Sequence, residues 1–146
     1  DSTPLKGVLL TGGGDLARYG GKFPQRDAVE SKLLAVAIER KLPVLGVCRG
    51  MQVLQTHFGV ALRKYPGHVA PTQTILIHGK PEKVNSYHDW GAQESVPSLS
   101  IWAQADDGVV KAVRHTQLPL VGIMWHPERM ETFRSADIAL FRELFL

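Results

Sequence analysis

A single cysteine, Cys48, stands in the whole 146-residue sequence. That scarcity excludes an internal disulfide and a multi-cysteine zinc site, and it fits a reducing compartment. No apolar run is long enough to span a bilayer and no secretory leader pattern is present, so the expected location is cytoplasmic, with no membrane partner. The 17 lysines and arginines are never packed densely enough to mark a nucleic-acid tract. Repeats and low-complexity linkers are also missing. What is present is ordinary for a globular chain, with 44% hydrophobic and 21% charged residues, enough for one domain with one real core. The net charge of +3 suits anionic small molecules slightly better than cationic ones.

The order of elements is legible from periodicity. Gly7 to Leu10 reads as a short buried strand, broken by Thr11-Gly12-Gly13-Gly14-Asp15. Residues up to Arg26 read as loop. Asp27 is then expected to cap a helix, with Glu30 completing a capping box and Val29, Leu33, Val36 and Ala37 on its apolar face. Val44 to Val47 is the next strand, and a helix follows from Arg49 to about Phe58, with Gly59 at its end. Alternating apolar strands and helices argue for a parallel sheet covered by helices. After Val60 the texture changes to short strands around Thr74–Ile77, Lys83–Ser86, Ile101–Gln104 and Val109–Val113, expected to form antiparallel ribbon. Leu120 to Trp125 is another apolar strand. Ser135 is expected to cap a last helix that turns Ile138, Phe141, Leu144 and Phe145 inward.

Cys48 ends one of these strands, in Gly46-Val47-Cys48-Arg49-Gly50. A sharp strand-to-helix turn through a nucleophile needs small neighbours two residues away on either side, and both are glycine. The free N–H groups of the following helix are expected to lower the thiol pKa. The competing reading is a buried cysteine acting as a small hydrophobe. A nucleophile needs a base and an orienter. His126 leaves the strand at Leu120–Trp125, and Glu128 follows two residues later across the rigid Pro127, so both belong at the carboxyl edge of the sheet beside Cys48. Their presence weakens the hydrophobe reading. A metal site at Cys48, His126 and Glu128 would leave the glycines unexplained. The N–H of Arg49 is one expected oxyanion donor, and Gly12-Gly13-Gly14, ending the first strand at the same edge, offers another. Read instead as a phosphate loop, that turn lacks the lysine and hydroxyl residue. Gln52, one helical turn after Cys48, and the polar cluster Asn85-Ser86-Tyr87-His88 are weaker signals.

Together these residues resemble the class I glutamine amidotransferase family. Its elbow, Gly-x-Cys-x-Gly-x-Gln, is matched by Gly46-Val47-Cys48-Arg49-Gly50-Met51-Gln52, its His-Pro-Glu by His126-Pro127-Glu128, and its glycine-rich strand end by Leu10 to Asp15. Within the family, Arg49 and Val84-Asn85-Ser86-Tyr87-His88 look most like the γ-glutamyl hydrolase branch, which is peptidase C26-like. Gly12 to Leu16 and the surroundings of Tyr87 look closer still to γ-glutamyl-CDP-amidate hydrolases.

The resemblance implies an α/β fold of three layers, flavodoxin-like, with a mostly parallel sheet, helices on both faces and a small antiparallel ribbon. The resemblance runs from about Gly7 to the C-terminus, and residues 1–146 are expected to form one domain. Family domains carry a further strand and helix ahead of the glycine-rich turn, so the resemblance implies that this segment was removed, is unobserved, or comes from a second chain. The implied activity is hydrolysis of a γ-glutamyl amide through a thioester on Cys48, with His126 and Glu128 completing the triad and Gly13, Gly14 and Arg49 forming the oxyanion hole. Gln52, Ser86, Tyr87 and His88 would bind the glutamyl part, and neither a cofactor nor a metal is required. Two alternatives stand beside it. One is a glutaminase subunit that passes ammonia to a synthetase partner, and the other is a catalytically idle binding domain on the same fold. A homo-oligomer is a further expectation.

Overall fold

The computed structural model describes residues 4–146. Its seven-stranded sheet grows outward from the parallel strands β1 (Val8–Leu10), β2 (Val44–Val47) and β9 (Leu120–Ile123). Leu10 pairs with Gly46, and Val47 pairs with Ile123. The three strands therefore end side by side at one edge, where Gly12, Cys48 and His126 leave them. Between them run α1 (Pro24–Arg40) and α2 (Arg49–His57), both on one face of the sheet; α3 (Ser135–Phe145) lies across the other face. Every residue of α2 from Arg49 to Gln55 is buried, which makes this helix the centre of the molecule.

The α/β class and the helices on both faces are as expected. The sheet is mixed, however, with only the β1–β2 and β2–β9 pairings parallel. Strands β8 (Val110–His115), β7 (Leu99–Gln104), β4 (Val69–Ile77) and β5 (Lys80–Tyr87) extend it in antiparallel fashion, in the order β9-β8-β7-β4-β5. Short turns cause this, because they return the chain beside itself where a parallel pair needs a long crossover. His78 and Gly79 both have positive φ, 50° and 78°, and close the β4–β5 hairpin with Ile77 opposite Lys80. The small ribbon is instead a separate pair, β3 (Arg63–Lys64) with β6 (Trp90–Gly91).

Three local expectations are corrected. Helix α1 begins at Pro24, whose fixed φ suits a first turn, and Asp27 does not cap it. The Asp27 carboxylate instead accepts the Ala17 N–H at 2.6 Å and pairs with Arg49. The buried face of α1 consequently carries Glu30, Leu34 and Ala37, whereas Val29 is 57% exposed. At the other end, Arg134 is the N-cap of α3 and Ser135 its first residue, and Ile138 and Phe141 are not turned fully inward. They line an apolar cleft of about 790 Å³ with Leu9, Leu45, Val47 and Ile123. No helix among the described residues is long and apolar enough to cross a membrane.

Candidate active site

Cys48 occupies the turn between β2 and α2 with φ 54° and ψ −102°, a conformation that L-residues rarely adopt. Packing enforces it. A Cβ on Gly46 would run into the Gly50 carbonyl, and one on Gly50 would run into the Leu10 carbonyl of β1. The Cys48 N–H donates to Ile123 O at 2.7 Å, and the sulfur lies 3.8 Å from Tyr87 O. Burial pushes the thiol up to about 11, and the Arg49 N–H, Arg129 and Lys111 only partly counter it. The Arg49 N–H at the helix start does pull the thiol down, but desolvation of the sulfur outweighs it, so the expected net lowering is not found.

His126 is held from two sides. Asn85 grips its backbone, accepting the His126 N–H at 2.7 Å and donating to the His126 carbonyl at 2.8 Å. Glu128 Oε1 lies 2.7 Å from Nδ1. A carboxylate only accepts, so Nδ1 carries the proton and Nε2 presents its lone pair. The imidazole is 2% exposed, whereas the Glu128 side chain is 52% exposed. A Cβ on Gly12 would strike the His126 ring, so the glycine turn lies directly against the imidazole.

That turn is clamped by an arginine unremarked in the sequence. Arg26 Nη1 donates to Gly13 O at 2.9 Å, and Nη2 donates to Thr11 O and Gly12 O at 2.9 and 3.0 Å. In a trans peptide the C=O and N–H point in opposite directions. The N–H groups of Gly12, Gly13 and Gly14 are thereby aimed away from the guanidinium. Gly13 and Gly14 hold φ of 104° and 78°, which glycine adopts without strain. Arg26 also pairs with Glu30 at 3.3 Å, and Glu30 and Asp27 both pair with the buried guanidinium of Arg49. The first turns of α1 thus connect the glycine turn to the residue after the cysteine.

The remaining candidates separate. Gln52 is buried beside the elbow, its amide nitrogen donating to Trp90 O at 3.1 Å while Oε1 has no partner among the described residues. Tyr87 brings its carbonyl to the sulfur and its ring edge-on to His126, with centroids 6.0 Å apart. Ser86 and His88 turn their side chains away, toward His68 O, Trp90 O and the buried Lys111.

The class I glutamine amidotransferase family model matches residues 5–144. The chain belongs to that family. It is 30% identical over 136 residues to a γ-glutamyl-CDP-amidate hydrolase of Campylobacter jejuni, covering 92% of this chain and 68% of that protein. One subunit of a glutamine-hydrolysing GMP synthase from Thermococcus kodakarensis is 28% identical over 144 residues, covering 91% of this chain and 71% of that protein. Among solved structures, a protein assigned as a GMP synthase subunit from Thermoplasma acidophilum superposes with a TM-score of 0.79 at 18% identity. That match spans 97% of this chain and 71% of the other.

Proposed function

We propose that this chain hydrolyses the γ-glutamyl amide bond of glutamine or a γ-glutamyl conjugate, with Cys48 as nucleophile. The observation that carries the reading is the strained elbow at Cys48, at the same sheet edge as a histidine whose Nδ1 faces the Glu128 carboxylate. His126 Nε2 takes the thiol proton as Sγ attacks the γ-carbonyl carbon. The carbonyl oxygen gains the negative charge and is received by the Arg49 N–H and the N–H groups of Gly13 and Gly14. Collapse breaks the C–N bond, and His126 returns its proton to the leaving nitrogen. Water activated by the same Nε2 then cleaves the γ-glutamyl thioester and releases glutamate.

For the glutamyl part, the free Oε1 of Gln52 is a buried acceptor suited to an ammonium group. Tyr87 contributes backbone. Ser86 and His88 would act by holding that backbone, because their side chains are engaged elsewhere. The similarity to a GMP synthase component supports a second reading, in which ammonia from glutamine passes to a synthetase partner. The decisive experiment is mass-spectrometric trapping of a γ-glutamyl adduct on Cys48, run with glutamine and with γ-glutamyl conjugates that include nucleotide amidates. An adduct of glutamyl mass on Cys48 is expected with at least one of them, and absence from the whole panel would sink the reading. Adduct from glutamine that forms only after a synthetase is added would favour the second reading.

The Arg26 clamp gives a separate expectation. Arg26→Lys keeps the charge but cannot reach three carbonyls, so the glycine turn loosens. Because a missing oxyanion donor costs about 100- to 1,000-fold in kcat, a loosened one should cost about 10- to 100-fold with KM nearly unchanged. Steady-state kinetics on the substrate found by trapping would measure both, and an unchanged kcat would contradict the clamp.

A further inference from the structure

Strand β8 carries a charge where its neighbours are wholly apolar. Val109, Val110, Ala112 and Val113 have no exposure, and Lys111 sits among them at 2%. Its Nζ is 2.9 Å from Ser86 Oγ and 2.7 Å from His88 Nε2. The direction of both bonds follows from what lies beyond them. His88 Nδ1 is 2.9 Å from Trp90 O, which only accepts, so Nδ1 holds the proton and Nε2 receives an N–H from Lys111. Ser86 gives its own hydrogen to His68 O at 2.7 Å, leaving its lone pairs to Lys111. Both partners are therefore neutral acceptors. A buried ammonium so placed costs free energy that an apolar side chain in the same strand would not.

The position of this charge relative to Cys48 gives it a use. The Met124 N–H donates to Lys111 O at 2.8 Å, and the Cys48 N–H donates to Ile123 O at 2.7 Å. Lys111 and Cys48 thus stand two strand spacings apart, about 10 Å between their backbones. Lys111 Nζ also bonds the residues on either side of Tyr87, whose carbonyl touches the sulfur. We propose that the buried Lys111 ammonium is a positioning residue of the Cys48 site, a fixed positive charge that favours the thiolate while it holds the Ser86–His88 segment against the sulfur. The inference rests on Cys48 being the nucleophile.

The electrostatics agree. Burial draws Lys111 down to about 8, while Asp107 and Cys48 favour its charge; Lys111 and Arg129 in turn favour the thiolate. The other groups facing the pair are Glu128 and His126 on the Cys48 side and His68 and His88 on the Lys111 side. His68 is engaged by Asp107 at 2.6 Å, and burial drops His88 to about 3, so it stays neutral at working pH.

The test is the rate of Cys48 alkylation by iodoacetamide between pH 6 and 10, with the product located by mass spectrometry. Below pH 8, where the ammonium is charged, Lys111→Met is expected to make alkylation about tenfold slower at a given pH, a displacement of about one pH unit that should shrink as pH rises past 8. Lys111→Arg, which keeps the charge, should stay within about threefold of the unsubstituted protein. An unmoved profile in Lys111→Met, or equal slowing in both variants, overturns the proposal. A second measurement needs no Lys111 variant. The ratio of iodoacetate to iodoacetamide rates should fall as pH rises through about 8 and the ammonium is lost, in the unsubstituted protein and in His126→Gln alike. A flat ratio between pH 7 and 9 also overturns it. Neither assay uses a γ-glutamyl substrate, so failure to trap a thioester would refute the proposed function without touching this result.

Discussion

His126→Gln is expected to lower kcat for γ-glutamyl amide hydrolysis about 10⁴-fold at pH 7. The size comes from the thiol itself. With its pKa raised to about 11 by burial, only about one sulfur in 10⁴ is ionised at pH 7 unless a base takes the proton as the bond forms. In the proposed mechanism His126 is that base, with Glu128 against its Nδ1 and Asn85 holding its backbone. Without it, catalysis depends on spontaneous thiolate. The residual rate should then climb about tenfold per pH unit toward 11. Cys48→Ala should lose at least as much, and the double variant should be no worse than Cys48→Ala, because residues acting as one unit do not contribute additively. A His126→Gln enzyme within tenfold of normal, or one whose residual rate ignores pH, would remove His126 from the mechanism. Glu128→Gln should cost less, since its half-exposed carboxylate orients the imidazole in partial contact with water.

Residues whose chemistry is stated by neighbours in sequence were the legible ones. The glycines around Cys48 announce a tight turn, and His126-Pro127-Glu128 announces an imidazole with a carboxylate a fixed distance away, so the carboxyl edge of β1, β2 and β9 could be read directly. The antiparallel half was harder to place. Short strands and turns reveal hairpins, but which edge a hairpin joins depends on pairing between residues far apart, such as Ala112 with Ile123. Polar residues spent on long-range partners were the least legible. Asp27 and Glu30 look like a local capping box, and only the position of Arg49 across the fold shows that they serve a buried guanidinium. Ser86 and His88 look equally ready to meet a ligand until Lys111 is seen behind them. That lysine did leave a trace, as one charge inside Val109-Val110-Lys111-Ala112-Val113, where alternation with a solvent face would have required others.

The elbow's geometry sets the second large effect. Gly50→Ala is expected to destabilise the protein by about 3 kcal/mol or more, beyond the usual range for one added methyl group in a core with room to adjust. The new Cβ would overlap the Leu10 carbonyl and stand 2.7 Å from Leu10 Cβ, so β1 and α2 would have to separate. Neither is free to move. Helix α2 is anchored at its start by the Arg49 pairs with Asp27 and Glu30 and by the Cys48 N–H on Ile123 O, and β1 is held in register on β2. Thermal unfolding should report a fall of about 10 °C for a chain of this size. Gly59→Ala supplies the contrast. Gly59 has φ 92° but nothing within 4 Å of its added Cβ, so that substitution meets conformational strain alone and should cost about 1 kcal/mol. If the two variants lost stability equally, close packing at the elbow would not be what holds Cys48 in its strained turn. If Gly50→Ala folds at low temperature, its Cys48 should also be alkylated at an altered rate, because the same displacement shifts the sulfur relative to the Arg49 N–H and the Tyr87 carbonyl.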